Sequence, residues 1–249
     1  MITVTVTDAQ PAEGTKGKFS VSVSIRSGEN ENGKSYEENR TVTVFRYFLA
    51  DAPFSGRIPE KDDILSAEEY EALLFAEECS NAAVKAVQFL SYGDLTVKKL
   101  TEKLKNKGFS REACASAAAF MVKKHYIDEE AQLARLMQLL CERRQYGVRR
   151  IKQEVYAKGF SREAVNAVWE DTLDTLDFDA ALDKRMEKLG SEAFDTPEKN
   201  RRTTASLLRY GFTYDEITNA KRRMDLAEDD LPYEETQDGG YDPDEDGVQ

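Results

Sequence analysis

The sequence predicts a mainly α-helical protein built from tandem three-helix repeats in an elongated, curved array, preceded by a small antiparallel β-sheet subdomain. Three observations lead to this fold class. Up to about residue 50, apolar and polar residues alternate with the period of a strand. After residue 80 the apolar spacing becomes helical, and the pentapeptide GFSRE occurs at Gly108 and again at Gly159.

The N-terminal residues carry three runs with strand character. Ile2, Val4 and Val6 alternate with threonines, and similar runs lie over 19–25 and 42–47. Turn-forming residues separate the runs at 11–17 and 27–33. We therefore expect a three-stranded antiparallel meander within a subdomain of residues 1–65. Because so small a sheet needs a cover for its apolar face, we expect a connecting helix over 66–79 to supply it.

The repeated pentapeptide defines the rest of the chain. The two GFSRE copies are 51 residues apart, and a degenerate third copy, GFTYDE, begins 52 residues later at Gly211. A unit of about 50 residues has room for three short helices with tight turns. The predicted repeats span 80–127, 128–177 and 178–226.

Each GF element is predicted to form a corner between the second and third helices of its repeat. The glycine accepts the left-handed conformation that ends a helix, and Ser110, Ser161 or Thr213 caps the next helix. The same offset places Asp128 on Asp179. This predicts that each aspartate caps the first helix of its repeat, the second and the third repeat respectively. Capping is a better explanation of the segment YIDEE than a metal or acid–base cluster, because a single Asp recurs without partner ligands.

Cysteine and histidine usage indicates neither a metal site nor a familiar catalytic centre. Cys79, Cys114 and Cys141 are far apart and form no CxxC pair, and the last two fall on apolar positions of the neighbouring repeat, so we expect buried thiols. The single histidine, His125, falls on Leu176, which suggests a packing role. The sequence contains no GxSxG, Walker or GxGxxG motif. We predict a protein that is not an enzyme, with no catalytic residue, metal or cofactor.

A pair of basic residues recurs in the repeats. Lys98 and Lys99 fall on Arg149 and Arg150, and the 52-residue offset adds the pair Arg201 and Arg202. In the first two repeats the pair lies near the start of a helix, where the macrodipole disfavours cations, so its recurrence suggests an external anionic partner. The alternative is an ordinary exposed basic helix face. The predicted contact residues for a protein partner or DNA are Lys98, Lys99, Lys103, Lys105, Arg143, Arg144, Arg149, Arg150, Lys152, Arg201 and Arg202.

The net charge of −12 is unevenly distributed. Residues 1–80 carry −7, residues 81–226 carry +5, and residues 227–249 carry −10 with no basic residue. We predict that this acidic tail is disordered and serves solubility or competes for the basic face. The sequence shows neither a signal peptide nor an apolar stretch long enough to cross a bilayer. We expect a cytoplasmic monomer without membrane contact.

Three segments resemble the RecX family of recombination regulators. They are LKNKGF at Leu104–Phe109, YIDEE at Tyr126–Glu130 and YGVRRIKQEVYAKGF at Tyr146–Phe160. The resemblance covers about 145 residues and is stronger in the first two repeats than in the third. The chain departs from the family pattern just before the second helix of repeat one, where it has Ser91-Tyr92-Gly93-Asp94 in place of a basic residue.

The resemblance implies a partner and an activity. RecX-like proteins consist of tandem three-helix repeats, bind along the groove of the RecA recombinase filament, and commonly inhibit recombinase activity and filament growth. Some also contact DNA. On this basis we expect a regulator of RecA in DNA repair, homologous recombination and the SOS response, with the RecA filament as partner and single- or double-stranded DNA as a further partner.

Two other classes of function stay open from the sequence. The first is a helical-repeat protein that binds DNA directly, without the recombinase. The lack of aromatic residues among the basic ones and the acidic ends of the chain argue against it. The second is an enzyme with an unfamiliar carboxylate site near Asp51 or Glu60, for which no spacing in the sequence gives support.

Overall fold

The computed structural model describes residues 2–13, 16–27 and 36–226. Their secondary structure confirms the predicted class: a small antiparallel sheet is followed by helices to the end of the described chain. They form two compact units. The first contains the described residues up to 132 together with 158–165, and the second contains the others from 133 onward. The predicted acidic tail, residues 227–249, lies outside the described residues.

The sheet has four strands. They are β1 (Ile2–Pro11), β2 (Lys18–Ser27), β3 (Tyr36–Phe45) and the two-residue β4 (Ile64–Leu65). The spatial order is β3-β2-β1-β4 with antiparallel pairing throughout. The predicted three-stranded meander is therefore present, and β4 adds to the free edge of β1. Its two residues were too short to give an alternating pattern that a sequence could reveal.

The helices follow the predicted grouping in threes. Their bounds are α1 (Ala67–Leu90), α2 (Val97–Lys105), α3 (Arg111–Lys123), α4 (Glu129–Glu142), α5 (Val148–Lys158), α6 (Arg162–Thr175), α7 (Phe178–Leu189), α8 (Pro197–Arg209) and α9 (Tyr214–Arg223). Short 3-10 turns at Arg46–Leu49 and Ser191–Ala193 complete the described structure. The repeat boundaries at 80, 128 and 178 stay predictions.

Helix α1 is longer than the sequence indicated. Ser66 caps it in a reciprocal capping box with Glu69, and it continues through residue 79 to Leu90. Its first half, with Leu73 and Ala76, covers the valine-rich face of the sheet. Its second half, with Ala82, Ala83 and Ala86, packs with Leu100, Leu104 and Met121 of α2 and α3. One helix thus serves both as the cover of the sheet and as the first helix of repeat one.

The three GF corners have the predicted geometry. Gly108, Gly159 and Gly211 have φ of 93°, 74° and 93°, the left-handed region that glycine enters without steric cost. The hydroxyls of Ser110, Ser161 and Thr213 accept from the backbone N–H three residues later. The local sequence rules for ending one helix and capping the next therefore hold in all three copies.

Two local predictions were wrong. The cap of α7 is Asp177, which accepts from the N–H of Ala180 at 2.8 Å, and Asp179 lies inside the helix. Asp128 does cap α4, so the repeat offset is 49 residues at this point. His125 is exposed with a φ of 57°, just after the end of α3, and does not pack in the core. The constant offset of 51 hid a length change between the repeats.

Candidate partner-binding surface

The two best matched basic pairs occupy equivalent helical positions. Lys98 and Lys99 are the second and third residues of α2, and Arg149 and Arg150 are the second and third residues of α5. Lys98 and Arg149 are exposed, whereas Lys99 and Arg150 are half-buried. The buried residues of these helices, Leu100 and Leu104 in α2 and Ile151 and Val155 in α5, lie on the opposite face. The sequence alignment of the pairs thus corresponds to a shared local geometry.

The third pair differs in its helical position. Arg201 and Arg202 lie ten and nine residues before Gly211, the same spacing as the other pairs have from their glycines. However, α8 begins at Pro197, capped by Thr196, so the pair lies in the second turn. A cation in the second turn is largely outside the reach of the helix N-terminal dipole. The dipole cost that suggested an anionic partner therefore does not apply to this pair.

The start of α2 meets the GF corner of the following repeat. The hydroxyl of Thr96 donates to the carbonyl of Lys158 at 3.1 Å, at the last residue of α5. The aliphatic stem of Lys98 lies against Gly159, where an added Cβ would lie 2.8 Å from Cδ of Lys98. The glycine is therefore needed for its positive φ, and a side chain at this position would displace the flexible stem of Lys98.

The start of α5 meets the next GF corner in the same way. The N–H of Gly147 donates to the carbonyl of Tyr210 at 2.9 Å, and the N–H of Arg149 donates to the carbonyl of Gly211 at 3.3 Å. A Cβ on Gly147 would overlap the carbonyl of Gly211, and a Cβ on Gly211 would overlap the backbone N of Arg150. Two glycines thus allow direct backbone contact between the start of α5 and the end of α8.

This contact changes the electrostatic environment of the basic pairs. The end of a helix carries partial negative charge on its free carbonyls, and the start of a helix carries partial positive charge on its N–H groups. At Gly147 these two ends meet, so the carbonyl end of α8 lies beside Arg149 and Arg150. The dipole cost that the sequence suggested for cations at the start of α5 is offset within the protein.

The second residue of each basic pair forms an ion pair with its own helix. Lys99 lies 3.0 Å from Glu102, Arg150 lies 2.7 Å from Glu154, and Arg202 lies 2.8 Å from Glu198. Such exposed pairs contribute a few tenths of a kcal/mol, about 0.3–0.5 for a spacing of four residues. The second residue of each basic pair therefore has a carboxylate partner on its own helix.

The other predicted contact residues are exposed but do not recur. Under the 51-residue offset Lys103 falls on Glu154, Lys105 falls on Tyr156, and Lys152 falls on Thr101. Arg143 and Arg144 lie in the loop before α5, where the first repeat has Tyr92 and Gly93. The recurrent part of the predicted surface is the basic pair alone.

Sequence reasoning missed a repeated carboxylate that organises the helix starts. One oxygen of Glu129 accepts from the N–H of Val97 at 2.7 Å, and the other accepts from the N–H of Ser161 at 3.0 Å. Glu78 accepts from the N–H and the hydroxyl of Ser110 at 2.7 and 2.8 Å. The signal was available, since Glu78 and Glu129 are 51 residues apart like Ser110 and Ser161. In the third repeat Glu216 replaces this contact by a local capping box with Thr213.

Aromatic residues do accompany the basic ones, contrary to the sequence expectation. Lys103 lies over the ring of Phe89 at 5.5 Å, Arg150 over Tyr146 at 5.7 Å, and Arg185 over Tyr210 at 3.1 Å. These aromatic residues are distant from their cations in sequence or fall in loops, so a linear pattern did not reveal them. Aromatic and basic side chains thus lie together in the folded protein, as they do at many nucleic-acid-binding surfaces.

All three cysteines are buried and unpaired, which confirms the predicted burial of Cys114 and Cys141. Burial raises the pKa of Cys79 and of Cys141 from 9.0 to about 11, and burial also raises the pKa of Cys114. A thiol reacts as its thiolate, so these side chains are poor nucleophiles at neutral pH.

The described part of the chain shows neither a metal cluster nor a membrane-spanning helix. Within 2–13, 16–27 and 36–226, no group of three or more His, Cys, Asp and Glu side chains is arranged to hold a metal ion. In the same part of the chain, no helix has the length and apolar composition needed to cross a membrane. Asp51 and Glu60 are exposed. An open depression in the second unit is lined by acidic residues, including Asp174, Asp177 and Glu216.

The curated proteins that are similar to this chain share one name. No protein-family model matches the chain. The chain is 28% identical over 169 residues to the regulatory protein RecX of Clostridioides difficile strain 630, covering 66% of this chain and 78% of that protein. It is 24% identical over 176 residues to the regulatory protein RecX of Staphylococcus carnosus, covering 68% of this chain and 64% of that protein. A third relative of the same name, from Caldanaerobacter subterraneus, is 27% identical over 173 residues.

Solved structures share the fold. A crystal structure of regulatory protein RecX matches with a TM-score of 0.61 over 87% of this chain and 99% of that chain, at 18% identity. In sequence and in fold the chain is similar to the RecX proteins. A second RecX crystal structure, from Lactobacillus salivarius, matches with a TM-score of 0.51 over 61% of this chain and 99% of that chain, at 20% identity. The relatives are named regulatory protein RecX, and the resemblance to RecX that the sequence indicated is confirmed.

Proposed function

We propose that this RecX-family chain binds the RecA recombinase filament as a monomer in the cytoplasm and inhibits its ATPase and strand-exchange activities. The observation that carries the proposal is the recurrence of a basic pair at the same helical position in successive repeats, Lys98 with Lys99 and Arg149 with Arg150. A filament presents the same surface at regular intervals, so a protein that repeats one contact is suited to it. The names of the relatives support a regulatory role.

The proposed mechanism requires positioning and charge, and no catalytic step. The joints at Gly159 and Gly211 hold the basic pairs at the starts of α2 and α5, where their heads are accessible. Acidic side chains of the recombinase or DNA phosphates in its groove would pair with them. Contacts to neighbouring recombinase subunits would then oppose strand exchange and the addition of further subunits.

The test is an assay of the cognate RecA protein on single-stranded DNA with increasing amounts of the RecX-family chain. We expect ATP hydrolysis and strand exchange both to fall as its concentration approaches that of the recombinase. Unchanged rates at equal concentrations would overturn the proposal.

A second arm of the same experiment separates the alternative of direct DNA binding. The chain is titrated with labelled single- and double-stranded DNA in the absence of recombinase, at low and high salt. Tight binding that weakens steeply with salt, together with unchanged recombinase rates, would establish the direct DNA-binding function instead.

A further inference from the structure

Four planar side chains of the second unit form a continuous row of ring contacts, in which the planes of the two tyrosine rings are tilted by 53°. Arg150 lies 5.7 Å from the ring centre of Tyr146, the rings of Tyr146 and Tyr210 lie 5.6 Å apart, and Arg185 lies 3.1 Å from the ring centre of Tyr210. All four are half-buried. We call these residues, together with the adjacent exposed Arg143 and Arg144, the arginine–tyrosine cluster.

The loop that carries Arg143 and Arg144 is held in place by Gln145. This residue is 6% exposed and has a φ of 50°. Its amide nitrogen donates to the carbonyls of Glu142 and Arg143 at 3.3 and 3.2 Å, and its amide oxygen accepts from Nζ of Lys188 at 2.9 Å. Arg185 adds a bond to the carbonyl of Arg144 at 3.3 Å. A loop fixed in this way needs little ordering of its backbone when its two arginines bind a ligand.

The chemistry of the cluster fits carboxylates. Guanidinium groups bind carboxylates in a two-pronged geometry, and tyrosines offer both ring surface and hydroxyl donors. Glu154 already pairs with Arg150, so Arg143 and Arg144 are the members suited to a further anion. The corresponding loop positions of the first repeat are Tyr92 and Gly93, so the paired arginines are particular to the second repeat.

The chain itself contains a segment of matching chemistry. Residues 227–249 carry ten acidic residues and no basic one, and they include Tyr233 and Tyr241. They follow α9, whose core residues Ile217 and Ala220 belong to the same compact unit as the cluster. Twenty-three residues span up to about 75 Å when extended, far beyond the ~13 Å radius of gyration of a 100-residue domain. The segment can therefore reach the cluster from its attachment at Leu226.

We propose that residues 227–249 bind the arginine–tyrosine cluster of their own chain, with their carboxylates pairing with Arg143 and Arg144. Covalent linkage gives the segment an effective concentration of order 1 mM, which favours it over a dilute external acidic ligand. An anionic partner that uses the cluster must displace the segment. The segment therefore sets a threshold for access to this surface, whatever that partner is.

The test uses full-length protein and needs no recombinase. In one variant the ten acidic residues of 227–249 are replaced by their amides, which frees the cluster without shortening the chain. A labelled peptide of wild-type sequence 227–249 is then titrated with this variant and with the wild-type chain, and fluorescence anisotropy is measured. We expect the peptide to bind the variant at least about tenfold more tightly, because the wild-type chain already holds its own segment.

Matched arginine pairs locate the binding surface. Adding Arg143→Ala and Arg144→Ala to the amide variant is expected to weaken peptide binding by about tenfold, since two charge-assisted contacts are lost. The matched control adds Arg201→Ala and Arg202→Ala, which remove the same charge from α8. These residues lie about 13 Å from Tyr210 along the helix, so little effect on peptide binding is expected. Equal peptide binding by wild-type and amide-variant chains would overturn the proposal, and so would equal weakening by both arginine pairs. Neither result depends on whether the chain inhibits a recombinase.

Discussion

Gly147 and Gly211 show how single residues set the contact between a helix start and a helix end. The backbone at the start of α5 and the backbone at the end of α8 lie very close together. A methyl group on Gly147 would overlap the carbonyl of Gly211, and one on Gly211 would overlap the backbone N of Arg150. Gly147 was not part of any sequence prediction. Gly211 was predicted to be required for its left-handed conformation, and that is only half of its role.

The first prediction concerns Gly147→Ala. We expect this change to lower the free energy of unfolding by ~3 kcal/mol, because the added methyl group meets the backbone carbonyl of Gly211, which cannot move independently. Gly108→Ala is the control, since a Cβ there meets no atom within 4 Å and only the positive φ adds a cost of ~1 kcal/mol. Urea denaturation monitored by circular dichroism measures the free energy of unfolding of both variants. A smaller loss for Gly147→Ala than for Gly108→Ala would contradict the assigned contact.

The second prediction concerns the buried thiols. Because burial raises the pKa of Cys79 and Cys141 to about 11, their thiolate fraction near pH 8 is about a hundredfold below that of a thiol with a pKa of 9.0. We expect a disulfide reagent to modify all three cysteines in urea and to react at least about a hundredfold more slowly with the folded chain. Rapid modification of the folded protein would show that the helices open readily.

The same thiols predict a dependence of stability on pH. Between pH 9 and 11 the unfolded chain loses its thiol protons while Cys79 and Cys141 keep theirs in the folded state. The unfolded state then binds fewer protons, so the free energy of unfolding falls as the pH rises through this window. Replacing both cysteines by alanine is expected to reduce this slope, as measured by urea denaturation at several pH values.

At the scale of helices, Glu129 links two helix starts that are far apart in sequence. Its carboxylate accepts from the N–H of Val97 at the start of α2 and from the N–H of Ser161, the residue before α6. Both N–H groups belong to the set that a helix cannot satisfy by itself. Glu78 performs a similar task for Ser110. These carboxylates fix the repeat geometry that the GF corners begin.

The third prediction concerns this link. Glu129→Ala is expected to lower the free energy of unfolding by about 2–3 kcal/mol, because two half-buried N–H groups lose a charged acceptor. Glu130→Ala is the matched control, since Glu130 occupies the next position in the first turn of α4 and is exposed. We expect the control to change the free energy by less than about 0.5 kcal/mol. Equal effects of the two variants in urea denaturation would remove the assigned role of Glu129.

Other elements show where sequence patterns reach their limit. The continuous helix α1 was predicted as two pieces. Its residues before about 80 face the sheet and those after face the repeat, so its composition changes there although the helix itself continues. Asp177 was overlooked because a fixed offset of 51 pointed to Asp179. Periodicity identified the elements, and small length differences between repeats displaced their ends.

At the scale of the whole molecule, the charge of −12 conceals segments of opposite sign. The repeats carry the recurrent basic pairs, and the acidic residues concentrate at both ends of the chain. If the basic pairs contact the recombinase filament as proposed, reversing one pair should weaken inhibition without changing the fold, because the heads of these side chains are accessible at the surface.

The fourth prediction tests this expectation. Arg149→Glu with Arg150→Glu should raise the concentration needed for half-inhibition of strand exchange by at least about tenfold, while the helical circular dichroism signal stays the same. Lys16→Glu with Lys61→Glu changes the net charge equally at exposed residues outside the repeats and should leave inhibition unaltered. Wild-type inhibition by the Arg149 and Arg150 variant would exclude this pair from the mechanism.

The sequence by itself determined the fold class, the repeat, the GF corners and the resemblance to RecX proteins. These depend on local rules: the period of apolar residues, the conformational freedom of glycine and the capping of helix starts by short polar side chains. Tertiary structure alone decided the contact of Gly147 with Gly211, the link through Glu129 and the contacts that join Arg150, Tyr146, Tyr210 and Arg185. Apart from the contact of Arg150 with Tyr146, these join residues that are 25 to 64 positions apart, and no helical or strand period relates such residues until the chain has folded.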